Sequence, residues 1–270
     1  MEKTKNSSLS KFNSLFAVIV IVSAIIIAHL VFYLVLGHPS HFTDAKKHEP
    51  KVGDYLGIMY KGGFLVPFLM SFFIIVFAVS IERLITLFFL AKGKNSLADF
   101  SYLIKSKLSN NDIEGAINAS VEQKGSVGNV AYEVLKRYKV VATDTSLSKE
   151  KRLDTIQKEI DEATMLELPV LEKNLSIIAT LASVSTLVAL LGTVIGMIKA
   201  FAALATTGTP DPTALATGIS EALVNTALGI GTSALAIISY NFFSSKVDNL
   251  THYIEEIGFA IRQTFLANVK

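Results

Sequence analysis

The sequence predicts an all-α membrane protein with four transmembrane helices, two of them extended into a cytoplasmic helical domain. Three observations point there. Half of the residues are apolar, 51% with a mean hydropathy of +0.48. They are concentrated in four uncharged runs, 14–37, 64–81, 175–198 and 222–243, each reaching the roughly 18 residues at which a run reads as a span. The last two runs adjoin apolar stripes at spacings of three and four, the period of one helix face.

Residues 1–63 hold the first span and a periplasmic loop. The span follows Lys3, Lys5 and Lys11, but its apolar core outruns the roughly 7 to 15 residues of a secretion signal, so it is expected to be retained. The loop mixes Lys46, Lys47, Lys51 and Lys61 with Asp44, Glu49 and Asp54 and has no convincing strand pattern. His38, His41 and His48 lack the spacing of a metal centre, so a solvated loop is expected. Residues 64–91 form the second span, whose uncharged part stops at Glu82 and Arg83.

Residues 92–173 read as a cytoplasmic helical domain. Leu97, Phe100, Ile104 and Leu108 share one face, as do Val127, Val130, Val134 and Tyr138, with Asn, Asp, Ser and Gly punctuating the intervals. After Ser148, a natural N-cap, comes the pattern Leu153, Ile156, Ile160, Ala163, Leu171, Leu175, which predicts one helix from about 148 to about 205 bent only by Pro169. The C-terminal segment 244–270 continues the fourth span through Val247, Leu250, Ile254, Ile257, Ile261 and Phe265. Lysines in the N-terminal segment, after the second span and at Lys246 place both termini in the cytoplasm by the positive-inside rule.

The hairpin 174–243 carries polar residues inside the bilayer. Ser176, Thr180, Ser183, Thr186 and Thr193 recur at helical spacing and read as one polar face. The fourth span shows Glu221, Asn225, Thr232 and Ser239 in one stripe and Thr226, Gly229 and Ser233 beside it. Small residues favour close helix packing, so Gly192 with Gly196, and Ala227 with Gly231, are candidate contact pairs. A turn centred near Thr209 puts Thr193 and Thr226 at one depth, and Lys199 level with Glu221 nearer the periplasm. Lys199 either snorkels to the interface or pairs with Glu221, which is also placed to meet the N-terminal dipole of its helix.

Several functions are disfavoured. There are no cysteines, and the formal charge of +2 is too small to suggest nucleic acid. No nucleophile, acid–base pair and orienting group converge, so neither an enzyme nor a cofactor is expected. A solute transporter would need unwound, Gly/Pro-interrupted mid-span helices. Neither polar span holds a carboxylate or histidine near its middle, so a proton relay here would need a titratable group from a partner.

The stretch LLGTVIGMIKAF (190–201), followed after a short loop by GISEALVNTALGIGTSALAIISYNFF (218–243), resembles the MotA/TolQ/ExbB proton channel family, most closely its ExbB branch. The resemblance implies a homo-oligomer, usually a pentamer, in the bacterial inner membrane. It encloses the helices of an ExbD-like single-span partner that carries a membrane aspartate, and it energises a TonB-like protein with the proton motive force. By motif position, Thr193 and Thr226 match the threonines lining the family's proton path, with Thr186, Ser183 and Thr180 on the same helix. Glu221 matches the family's glutamate, and Lys199 stands where an uncharged residue is expected. The hairpin is then pore-forming, and the first span is an addition to the usual three. A TolQ-like or other stator subunit, or a non-conducting scaffold, is the alternative.

Overall fold

The structure, a computed structural model, describes residues 17–44, 49–144, 146–205 and 211–268. In chain order its elements are α1 (Ala17–Leu36), β1 (Phe42–Asp44), β2 (Glu49–Pro50), α2 (Tyr55–Tyr60), α3 (Val66–Ile85), α4 (Leu97–Ser109), α5 (Ile113–Gln123), α6 (Gly125–Thr143), α7 (Lys149–Leu171), α8 (Leu175–Ala205) and α9 (Pro212–Asn268). Four helical stretches among the described residues are long and apolar enough to cross a membrane: α1, Gly63–Ala91 around α3, α8 and α9. The chain divides into two compact units. One comprises residues up to Ser80 with Ser176–Tyr240, the other Ile81–Leu175 with residues from Asn241 onward.

In the first unit, α1 buries Ala24, Ala28, Phe32 and Leu36, one residue per turn on a single face, and turns its β-branched residues outward. Phe32 stacks on Tyr60 with ring centroids 4.7 Å apart. Phe32, Leu36 and Val66 form an apolar cluster with Met59, Tyr60, Val224 and Leu228, so α1 packs against this unit rather than standing alone in lipid. The loop after α1 is structured, contrary to the sequence reading. β1 and β2 pair antiparallel, Phe42 opposite Pro50 and Asp44 opposite Glu49. Strands of three and two residues are too short to display an alternation, which is why the pattern hid them. Asp54 caps α2, accepting from the amides of Leu56 at 3.0 Å and Gly57 at 3.2 Å, and binds His41 Nδ1 at 2.8 Å. His48 and the N-terminal lysines lie outside the described residues.

The second unit is built from the stripes read in the sequence. Leu97, Phe100, Ile104 and Leu108 of α4, Val127, Val130, Val134 and Tyr138 of α6, Ile156, Ile160 and Ala163 of α7, and Val247, Leu250, Ile254, Ile257, Ile261 and Phe265 of α9 are all buried. Tyr138 meets Phe265 edge-on at 5.0 Å. The connection after α3 is pinned by Gln123, whose side chain is fully buried. Its amide donates to the carbonyls of Lys92 at 3.0 Å and Asn95 at 3.1 Å, and its oxygen accepts from the Asn95 amide at 3.2 Å. Gln123 thereby satisfies backbone groups of Lys92 and Asn95 that a loop would otherwise leave to water.

The single helix expected from 148 to 205 is broken. Ser148 does cap α7, accepting from the Lys151 amide at 3.3 Å, but α7 ends at Leu171 and α8 starts at Leu175. Asn174 between them adopts φ +61°, a left-handed conformation that a helix interior does not admit. Arg83, almost fully buried, donates to the carbonyls of Val170 at 3.3 Å and Leu171 at 3.2 Å. These are terminal carbonyls that need a partner once the helix stops. Pro169, inside α7 near its C-terminal end, has no N–H for the Met165 carbonyl and so weakens the helix just before it stops.

Candidate functional site

The α8–α9 seam of the first unit places the polar residues. Gly192, Gly196 and Gly218 let the backbones meet: a Cβ at Gly192 would stand 2.7 Å from Asn225 Cβ, and one at Gly196 2.6 Å from the Gly218 carbonyl. Gly229 does the same against Ala189 and the Ser185 carbonyl. Gly231 has nothing within 4 Å and Ala227 is exposed, so that pair is not part of this seam. It faces outward because the seam follows steps of four, three and four residues through 218, 222, 225 and 229, which 227 and 231 miss by about half a turn.

The register is antiparallel, its pairs centred between about 207 and 210. Ser233 Oγ donates to the Ala182 carbonyl at 2.5 Å, Thr193 meets Thr226, and Lys199 meets Glu221. Residues 206–210, where the turn near Thr209 is expected, lie outside the described residues.

Near the middle of the hairpin the hydroxyls of Thr193 and Thr226 are 2.5 Å apart. Each also lies near a carbonyl of its own helix, Ala189 at 3.2 Å and Ala222 at 2.9 Å. With the two hydroxyls bonded to each other, two chains are possible: Thr193 to Thr226 to Ala222, or Thr226 to Thr193 to Ala189. Both are complete, and reversing one into the other passes the direction of donation along the seam. Ser185, fully buried one turn before Ala189, has a hydroxyl without a hydrogen-bond partner among the described residues.

Six residues along α8, about 9 Å nearer the loop end, Lys199 Nζ contacts both carboxylate oxygens of Glu221, at 2.7 and 2.8 Å. The lysine therefore pairs rather than only snorkelling. The Glu221 side chain is 6% exposed and that of Lys199 52%, so the carboxylate is buried and the ammonium bridges it to solvent. Glu221 packs on Gly63, where an added Cβ would stand 2.6 Å from Oε1 at a backbone of φ +78°. Asn225, fully buried, donates to the Gly62 carbonyl at 2.9 Å, and Lys61 Nζ donates to Thr217 Oγ1 at 3.2 Å. The entry to the second span thus clamps the start of α9. The Gly62–Gly63 pair was the available signal, and the sequence reading did not use it.

The five hydroxyls of α8 do not share one face. The ten residues from Ser176 to Thr186 make about 2.8 turns, which leaves Thr186 and Thr193 roughly 80–100° from Ser176. Thr186 and Thr193 flank the seam and are half-buried, whereas Thr180 and Ser183 are exposed. Thr180 returns its proton to the Ser176 carbonyl at 2.8 Å. No cluster of three or more acidic, histidine or cysteine side chains among the described residues suits a metal ion.

Comparison with known proteins follows the same residues. Residues 122–256, half of the chain, match the MotA/TolQ/ExbB proton channel family. A biopolymer transport protein ExbB homolog of Methanothermobacter thermautotrophicus is 27% identical over 168 residues, 60% of this chain and 58% of its own length. The Tol-Pal system protein TolQ of Pseudomonas aeruginosa is 41% identical over 80 residues, 30% of this chain and 35% of its own. Biopolymer transport protein ExbB of Xanthomonas campestris pv. campestris is 29% identical over 112 residues, 39% of this chain and 44% of its own. The chain thus matches less than two thirds of the length of each of these relatives.

Proposed function

Since the chain belongs to the MotA/TolQ/ExbB proton channel family, we propose that it is a proton-channel subunit of the ExbB kind. In this reading it works as a homo-oligomer, a pentamer by family analogy, around an ExbD-like single-span partner whose membrane aspartate supplies the titratable group. It couples proton flow across the bacterial inner membrane to a TonB-like energiser, with both of its own termini in the cytoplasm. The observation that carries the reading is the Thr193–Thr226 hydroxyl pair, held at 2.5 Å in the middle of the hairpin. It relays a hydrogen bond in either direction and has no group that ionises near neutral pH, so it serves a carboxylate brought beside it. Thr186, half-buried beside the seam, extends the proposed path, whereas the exposed Ser183 and Thr180 lie off it, and the Lys199–Glu221 pair stands at its mouth.

A TolQ-like subunit is the second reading, favoured by the relative named TolQ, which is 41% identical over 80 residues. The two share the mechanism and differ in the energiser. The test is proton flux into vesicles holding this chain with and without the single-span partner. Flux is expected only with both chains, and Thr193→Val or Thr226→Val should lower it about tenfold, the factor that one lost hydrogen bond of about 1.4 kcal/mol sets. Thr193→Ser should retain it. Undiminished flux in both valine variants, with assembly intact, would overturn the assignment of this pair; no flux in any preparation would favour a non-conducting scaffold.

A further inference from the structure

Where the apolar runs of α3 and α9 give way to charge, the second unit holds an open cavity of about 250 Å³. Its walls include Leu87, Leu97 and Leu250, all buried, and its rim carries the exposed Lys92 and Lys246. Lys246 Nζ lies 5.4 Å from the ring centre of Phe88 and 5.8 Å from that of Phe242, two rings stacked at 6.0 Å. The aromatic faces hold the ammonium beside the cavity. No acidic side chain lines the cavity among the described residues. An apolar pocket crowned by two cations, lying at the end of spanning segments, matches one chemistry: a phosphate headgroup with an acyl chain behind it. Free phosphate has no use for the leucine walls, and a zwitterionic lipid gains less from two lysines.

We propose that this cavity is a binding site for an anionic phospholipid, its headgroup between Lys92 and Lys246 and the start of one acyl chain against Leu87 and Leu250.

The test is native mass spectrometry of the full chain in detergent, titrated with phosphatidylglycerol, with phosphatidylcholine and with inorganic phosphate alone. Phosphatidylglycerol is expected to be retained over phosphatidylcholine by about thirtyfold, the factor two interfacial lysines contribute. Lys92→Gln/Lys246→Gln, which keeps most of each side-chain stem, should bring the ratio near one, and the double arginine variant should restore it. Equal retention of the two lipids by the parent chain, an unchanged ratio in the glutamine variant, or displacement of the lipid by phosphate would each overturn the proposal. Should the glutamine variant not fold, photoactivatable phosphatidylglycerol decides with the parent chain: cross-links within 87–98 and 246–253 support the site, and their absence there overturns it. The readout is lipid retention, so it stands or falls separately from proton flux.

Discussion

At the residue scale, Asp54 shows how one side chain organises a loop. It caps α2 and holds His41. The hydrogen bond from His41, helped by the Gly57 amide, keeps its carboxyl below the usual carboxylate range. A lowered folded pKa means that the native state binds fewer protons than the unfolded one. The stability Asp54 contributes is therefore complete above its unfolded value of about 4 and is lost as pH falls through the lower folded value. Asp54→Asn keeps the capping geometry and removes the titration. Its melting temperature should decline less steeply than the parent's as pH drops from about 5 to about 2; parallel declines would show that this carboxylate is not the sensor. The sequence displayed Asp54 and His41 only as loop residues thirteen apart, and nothing in their spacing announced the pair.

At the element scale, the break between α7 and α8 is set by a side chain from another helix. Glu82 and Arg83 are neighbours in sequence, positions that on a helix do not normally face each other. Here Arg83 Nε meets Glu82 Oε2 at 2.7 Å, and Glu82 also accepts from Asn174 Nδ2 at 3.1 Å and Thr86 Oγ1 at 3.0 Å. The group ties the end of α3 to the end of α7 and the left-handed Asn174. Arg83→Met should destabilise the chain by roughly 3 kcal/mol, since it strands a partly buried carboxylate and two helix-end carbonyls. It should also speed proteolysis around 171–175. A double Glu82→Leu/Arg83→Met variant should lose less than the sum of the single changes. Thermal melts that show no loss for Arg83→Met would reduce the cluster to a surface contact. Pattern reading ran one helix through this point because the apolar stripe stays in phase across it. Only a residue nearly ninety positions upstream ends the helix there.

At the scale of the whole molecule, the orientation proposed for the chain is open to direct measurement, because the sequence holds no cysteine and any single one introduced is unique. Val52, in the loop between the first two spans, and Ser146, between the second and third, are both exposed. Val52→Cys is expected to react with a membrane-impermeant maleimide in intact spheroplasts, and Ser146→Cys only after permeabilisation. The reverse order of labelling would invert the topology and with it the direction assigned to the Lys199–Glu221 mouth.

Run length and apolar period determined the four spans, the buried stripes of α4, α6, α7 and α9, and the level pairing of Thr193 with Thr226. Each of these is a local or near-symmetric quantity: a helix's own period fixes which residues share a face, and a short hairpin fixes which depths coincide. Tertiary structure alone decided the rest. It divided the hydroxyls of α8 between the seam and the exposed face, chose pairing over snorkelling for Lys199, and set Gly62–Gly63 under Asn225 and Glu221. It also ended α7 with Arg83. Those outcomes depend on groups distant in sequence satisfying one another's buried hydrogen bonds and charges, which no local period encodes.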